Sequence, residues 1–320
     1  MSTAPTITFA DVEDAAARLR GVANRTPMLR SRTLDMRLDG EILFKAETFQ
    51  RTGAFKFRGA YNCISRLTDR ERRRGVVACS SGNHAQGVGL AAKLLRGRAV
   101  ILMPDDAPAG KRAAVNAYGA DVIGYDRLVD DCAQLADEIV AREGLTLVHG
   151  HDDPHVMAGA GTVALELIEE AATLDELVLP IGGGGLASGC AVAGKALLPG
   201  LRVVGVEPAA SDATRQSLAA NRRVHITSGA SSADGLVSDA PGAVAFGVIK
   251  ELVDEVVVVT EDEIAAATRF LFERMKLVVE PSGAASLAAL LAGRIDAGGR
   301  RIGIVLTGGN VDLAKLATIH

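Results

Sequence analysis

Short apolar, β-rich runs alternate with Ala- and Leu-rich runs along this chain, and that alternation limits the possible folds more than any other feature. The β-rich runs lie at 41–45, 76–79, 99–103, 122–125, 146–149, 177–181, 202–206, 255–259 and 302–306. Such an order is expected of parallel strands covered by helices. One helix start is explicitly marked, because Thr260 and Glu263 form an S/T-x-x-E capping box that opens a helix through Phe272. With 320 residues, 48% of them hydrophobic and 23% charged, the chain can bury a large core and is expected to form two subdomains. No internal repeat or low-complexity linker divides it. Two βαβ blocks should therefore pack together, with functional loops at the carboxyl ends of their strands and a ligand in the cleft between them.

Composition excludes several classes of function. A net charge of −4 gives no electrostatic reason to bind nucleic acid or an anionic membrane. Aromatics make up 3% and tryptophan is absent, which argues against stacking platforms. The most basic run, DRERRRG at 69–75, is interleaved with acids and reads as a solvated helix end. No apolar stretch approaches the ~20 residues of a membrane span, and the first residues show no signal-type apolar core, so a cytoplasmic setting is expected. Cysteines 63, 79, 132 and 190 lack C-x-x-C spacing and read as reduced, buried apolar residues.

Three segments carry chemistry. In TGAFKFRGA, Lys56 stands between Phe55 and Phe57, and apolar rings disfavour the ammonium form, so the amine suits Schiff-base formation with an aldehyde. In LVLPIGGGGLASG, a strand runs into Gly182, Gly183, Gly184 and Gly185 and then a helix over 186–198. Backbone N–H groups without Cβ atoms, at a helix N-terminus, make a phosphate cup. The spacing is neither a dinucleotide fingerprint nor a Walker loop. In VVACSSGNHAQG, a strand leads into Ser80, Ser81, Gly82, Asn83 and His84 at a helix start, suited to a substrate carboxylate, and the Asn83 amide can bond a phenolic ring oxygen. Each segment also has an ordinary structural explanation. An aldehyde cofactor carrying a phosphate would need all three.

Together they resemble the fold-type II pyridoxal-phosphate enzymes, and within them the group of serine/threonine dehydratases, serine racemases and 3-hydroxyaspartate dehydratases. The resemblance runs from RTPMLRS at 25–31 to LTGGNVD at 306–312, through FKFRGA, SSGNHAQG, AGAGTVALE, GGGGL, VGVEP, ADGL, MKLVVEPSGAA and TGGN. It implies a tryptophan-synthase-β-like α/β fold of two parallel-sheet αβα subdomains, the larger from 1–49 and 146–320 and the smaller from 50–145. It implies that Phe55, Lys56, Asn83, Gly182, Gly183, Gly184, Gly185, Leu186, Gly235, Glu280 and Thr307 hold pyridoxal 5'-phosphate. Ser80, Ser81, Gly82, Asn83, His84 and His151 would face a small amino-acid substrate, and a homodimer is expected. Glu280 has an equally good reading as a dipole partner at a helix start. Thr307 would place a neutral hydroxyl at the pyridine nitrogen, which favours elimination over a long-lived carbanion.

The reaction implied is α,β-elimination from threonine, serine or 3-hydroxyaspartate, giving a 2-oxo acid and ammonia, with Lys56 as base. Ser81 matches the residue that serves the opposite face of the α-carbon in serine racemases, so racemisation is the alternative. The A-F-K-F form around Lys56 looks like a subset that includes 3-hydroxyaspartate dehydratases. His151 could recognise a second carboxylate there, or could cap a loop. Magnesium or calcium is a further possibility at Glu207 with the Ser211 carbonyl, although Ala213 stands where an acid is usual and Asp212 comes one residue early. The chain ends about ten residues past TGGN, so no C-terminal regulatory domain is expected.

Three points stay open on sequence alone. His149, His151, Asp152, Asp153 and His155 could instead form a metal site. Arg58 could touch substrate or tie down its own helix. A non-catalytic protein of this fold would not need Lys56.

Overall fold

A computed structural model describes residues 7–107 and 109–317 of the chain. Residues 1–6 and 318–320, at the ends of the expected larger subdomain and in the segment read for a signal sequence, lie outside the described residues. The strands are β1 Met28–Arg30, β2 Glu41–Ala46, β3 Val76–Cys79, β4 Ala99–Pro104, β5 Asp121–Tyr125, β6 Thr146–Leu147, β7 Glu176–Pro180, β8 Arg202–Pro208, β9 Glu255–Val259 and β10 Arg301–Leu306. The helices are α1 Phe9–Leu19, α2 Arg32–Leu38, α3 Lys56–Ser65, α4 Asp69–Arg74, α5 Asn83–Leu94, α6 Ala109–Ala117 and α7 Cys132–Glu143 in the first part of the chain. The second part adds α8 Pro154–Ala171, α9 Gly185–Leu197, α10 Ala213–Ala219, α11 Ala243–Leu252, α12 Glu261–Met275, α13 Pro281–Leu291 and α14 Leu313–Ala317.

Two sheets organise these elements. The larger has the order β1-β2-β10-β7-β8-β9, and the smaller the order β5-β4-β3-β6. Every pairing is parallel except β1 with β2. Successive residues of β7 point to opposite sides, so Leu177 and Leu179 join a core with α8, α9 and α11 while Val178 joins a second core with α12 and α13. The smaller sheet is sandwiched in the same way: Val76 and Ala78 pack toward α3 and α5, and Val77 packs toward α7.

All nine β-rich runs carry strands, and α12 opens on the Thr260–Glu263 capping box. Several boundaries differ. The smaller sheet takes in β6, which pairs with β3 and runs past the expected limit at 145. That strand stops at Leu147, because the Nδ1 atom of His149 accepts the backbone N–H groups of His151 (3.3 Å) and Asp152 (2.9 Å) and bends the chain. The short β1 had no counterpart in the apolar pattern. Cys79 and Cys132 correct the expectation of four reduced cysteines: they form a disulfide, with Cα atoms 6.1 Å apart, from the end of β3 to the start of α7, while Cys63 and Cys190 are free and buried. No helix among the described residues is long and apolar enough to cross a membrane.

The packing of α3 settles the role of Arg58. Its guanidinium is fully buried and bonds Glu47 through Nε and a terminal nitrogen (both 2.8 Å) and Glu166 through its terminal nitrogens (2.6 and 2.9 Å). Lys45 meets Glu166 at 2.7 Å, and the Thr26 hydroxyl donates to Glu47 at 2.6 Å. Two cations and two anions thus balance inside the protein, joining α3 to α8 and to the end of β2. Burial alone would favour the uncharged guanidine, but the Glu47 and Glu166 carboxylates hold Arg58 charged. Replacing Arg58 with Met should cost about 3–5 kcal/mol, because Glu47 would be buried without its counter-charge. Chemical denaturation measures that loss, and a cost below about 1 kcal/mol would remove the network from the account of stability.

Candidate active site

The carboxyl ends of β3, β7 and β10 converge on a cavity of about 270 Å³ between the two sheets. Its lining includes every residue expected at the cofactor and substrate positions, from Phe55, Lys56, Ser80, Ser81, Gly82, Asn83, His84 and His151 to Gly182, Gly183, Gly184, Gly185, Leu186, Gly235, Glu280 and Thr307. Glu207 lies elsewhere.

Lys56 is the first residue of α3 and is fixed from behind. Ala54 bridges Gly308, and the Phe55 N–H donates to the Thr307 carbonyl at 3.0 Å, so the end of β10 holds the chain just before the lysine. The Nζ atom donates to the Gly150 carbonyl at 2.6 Å and lies 5.2 Å from the Phe55 ring centre. Burial lowers its pKa to about 8, against the opposing pull of the Glu280 carboxylate. A useful fraction of free amine is therefore present near neutral pH.

The four glycines are required by space. A Cβ on Gly183 would lie 2.2 Å from the His151 ring, and one on Gly185 would lie 2.6 Å from the His151 carbonyl oxygen. Gly184 sits at φ +94° and precedes α9 with no side chain capping the helix. The first N–H groups of a thirteen-residue helix are thus presented together with the glycine backbone. This is the cradle a phosphate needs.

Asn83 is oriented by a chain of hydrogen bonds. Its amide nitrogen donates to Glu280 (2.6 Å) and its oxygen accepts from Asn310 (2.8 Å), which also donates to the Thr52 carbonyl (2.6 Å). One N–H of Asn83 remains to face the cavity. Burial, helped by Asp234, raises Glu280 to about 7. Gly82 precedes Asn83 and α5, again with no side-chain cap, and a Cβ there would meet nothing within 4 Å. The α5 N-terminus is open to a carboxylate.

Two histidines differ from expectation. His84 approaches the Val148 carbonyl through Nε2 at 2.9 Å, so Nε2 carries the proton and Nδ1 a lone pair. Burial, with Lys56 nearby, lowers it to about 3, and the imidazole cannot donate to a substrate carboxylate. Its backbone N–H, in the first turn of α5, still can. His151 packs on Gly183, and burial and then His149 lower its pKa to about 2, so of the cationic and hydrogen-bonding forms considered for a second carboxylate the neutral, hydrogen-bonding imidazole is the one favoured. Ser282, Lys111 and Asp234 also line the site. Ser282 accepts the Gly235 N–H at 3.0 Å and stood unassigned inside a quoted motif, whereas Lys111, in a Lys-Arg pair, gave no signal above an exposed helix face.

Neither metal reading is supported by the placement of its residues. Asp152 accepts three N–H groups at the start of α11, and Asp153 caps α8. Among the described residues no group of three His, Cys, Asp or Glu side chains is placed to hold an ion. Glu207 accepts the N–H groups of Thr214 (2.8 Å) and Arg215 (2.9 Å) at α10, and Asp212 is paired with Arg215.

The family described as "Pyridoxal-phosphate dependent enzyme" matches residues 19–308. The chain belongs to this family of enzymes, in its fold-type II class. Within it, the chain falls in the group of serine/threonine dehydratases, serine racemases and 3-hydroxyaspartate dehydratases. It is 46% identical to an L-threo-3-hydroxyaspartate ammonia-lyase of Saccharomyces cerevisiae over 98% of this chain and 96% of that one. It is also 46% identical to a serine racemase of Schizosaccharomyces pombe, over 97% and 96%. The solved structure of maize serine racemase superposes with a TM-score of 0.93 at 39% identity, covering 97% of this chain and 96% of that one.

The residues present fit the cofactor: Lys56 to bond its aldehyde, Gly182 to Gly185 and α9 to hold its phosphate, and Asn83 and Thr307 to meet its ring. A Gly183→Ala variant should keep its far-ultraviolet circular dichroism and lose at least about tenfold in vitamer affinity by fluorescence titration, since the methyl enters the His151 ring. Imine capture consumes free amine, so the capture rate should rise with pH, about tenfold per unit, and level off above about 8. Glu280→Gln removes the charge that favours the ammonium and should move that midpoint to lower pH. A midpoint near 10.5 in the wild type would contradict the assignment.

Proposed function

We propose that this enzyme is an ammonia-lyase for β-hydroxy α-amino acids, with 3-hydroxyaspartate as its preferred substrate. The observation that carries the reading is that Lys56 and the open α5 N-terminus line one cavity. Bound pyridoxal phosphate supplies an aldehyde that captures the substrate amine and a ring that withdraws electrons from the α-carbon. The N–H groups at the start of α5 hold the α-carboxylate, which turns the Cα–H bond toward the lysine. Lys56, released from the aldehyde, takes that proton on Nζ, and its lowered pKa keeps the amine available to do so. The proton held on Nζ passes to the departing β-hydroxyl, which leaves as water, and hydrolysis of the unsaturated product releases ammonia and the 2-oxo acid. From 3-hydroxyaspartate that acid is oxaloacetate.

Support for the substrate comes from the relatives named for it in Saccharomyces cerevisiae and Pseudomonas, each 46% identical. A second reading, amino-acid racemisation, is favoured by Ser81 on the cavity wall and by the serine racemase relative. Homodimeric assembly and a cytoplasmic setting belong to the same proposal, and sedimentation velocity tests the first. No cation is assigned at Glu207, whose oxygens are engaged by backbone.

Oxo-acid and ammonia release should be followed with L-serine, D-serine, L-threonine and the 3-hydroxyaspartate diastereomers. One 3-hydroxyaspartate isomer is expected to show the highest kcat/KM, and Lys56→Ala to abolish turnover. Formation of D-serine from L-serine faster than oxo acid forms would establish the racemase reading instead.

A further inference from the structure

Six ionisable side chains face the cavity: Lys56, His84, Lys111, His151, Asp234 and Glu280. A substrate with a second carboxylate needs a cation in addition to the donors that hold the first. Lys56 is engaged by the reacting centre. Both histidines are kept neutral by burial, and the Nε2–H of His84 is already given to Val148. Asp234 and Glu280 would repel an anion. Lys111 is the cation that remains.

Its position suits the task. Lys111 stands in the first turn of α6, in the segment after β4, while the Ser80 to Asn83 turn follows β3. β3 and β4 are paired neighbours, so the two segments rise from adjacent strand ends. From this smaller lobe the Lys111 Nζ crosses to the Asp234 carboxylate of the larger lobe at 3.0 Å. Asp234 is half-exposed and has Lys315 at 3.7 Å as well. If Lys111 turns away, Asp234 keeps a counter-charge and water. A lysine on a flexible four-carbon stem can make that exchange at small cost.

We propose that Lys111 is the specificity-determining residue that binds the β-carboxylate of the substrate, giving up its ion pair with Asp234 to do so. A monocarboxylic substrate leaves that pair closed. The inference rests on the dicarboxylic substrate proposed above.

The test compares kcat/KM for 3-hydroxyaspartate and L-threonine in wild-type, Lys111→Met and Lys111→Arg holoenzymes. Lys111→Met should lower the preference for 3-hydroxyaspartate by about 30-fold, equivalent to about 2 kcal/mol, chiefly through KM. Lys111→Arg should retain it to within about fivefold, since the charge is kept. Equal losses on both substrates, or an unchanged ratio, would overturn the assignment. Should the wild type fail to turn over 3-hydroxyaspartate, the parent reading fails, and L-aspartate against L-alanine, titrated by the visible spectrum of the holoenzyme, still decides the role of Lys111. Weakening of aspartate by the same factor, with alanine changed less than about threefold, supports it, and parallel weakening overturns it.

Discussion

The position of the reactive amine depends on a charge buried two residues further along the same helix. Arg58 meets four carboxylate oxygens from Glu47 and Glu166, and those residues belong to the segment after β2 and to α8. Such a cluster has little tolerance for displacement, because any loosened ion would remain in a medium that solvates it poorly. It therefore fixes the rotation of α3, and with it the direction from which Lys56 enters the cavity. The bridge from Ala54 to Gly308 fixes the approach from the other end. Reactivity at position 56 is local chemistry placed by remote electrostatics.

Much of the architecture was legible because strands covered on both faces must be apolar throughout, and such runs are conspicuous among helical ones. The glycine loop and the Ser80 to Asn83 turn were legible because their composition has few uses other than presenting backbone donors. Charge state was not. His84 and His151 read as donors or cations until the packed structure removed water from around them. Glu207 had the chemistry of an ion ligand but serves a helix end. Cys79 and Cys132 stand 53 residues apart, and only the packing of α7 on the smaller sheet brings them together. Lys111 was invisible for a similar reason: a basic pair near a helix start has no distinguishing mark until the opposite lobe supplies Asp234.

The site also divides its labour between the lobes. The larger lobe supplies the closely packed side, with Gly183 and Gly185 wedged against His151 and Thr307 closing a buried strand. The smaller lobe brings the parts that select, namely the turn at α5 and the lysine of α6. One side suits an invariant cofactor and the other a variable amino acid.

Where α3, α8 and α9 cross, they touch through main chain rather than side chain. A Cβ on Gly189 would lie 2.0 Å from the Met157 carbonyl oxygen, one on Gly159 would lie 2.6 Å from that of Arg58, and one on Gly59 would lie 2.6 Å from that of Val156. At such a seam even a single methyl forces whole helices apart, and no rotamer change relieves it. The scaffold is consequently closed to gradual remodelling at its centre. New substrate preferences can be explored only along the rim, where a changed side chain alters what enters without shifting the amine that reacts.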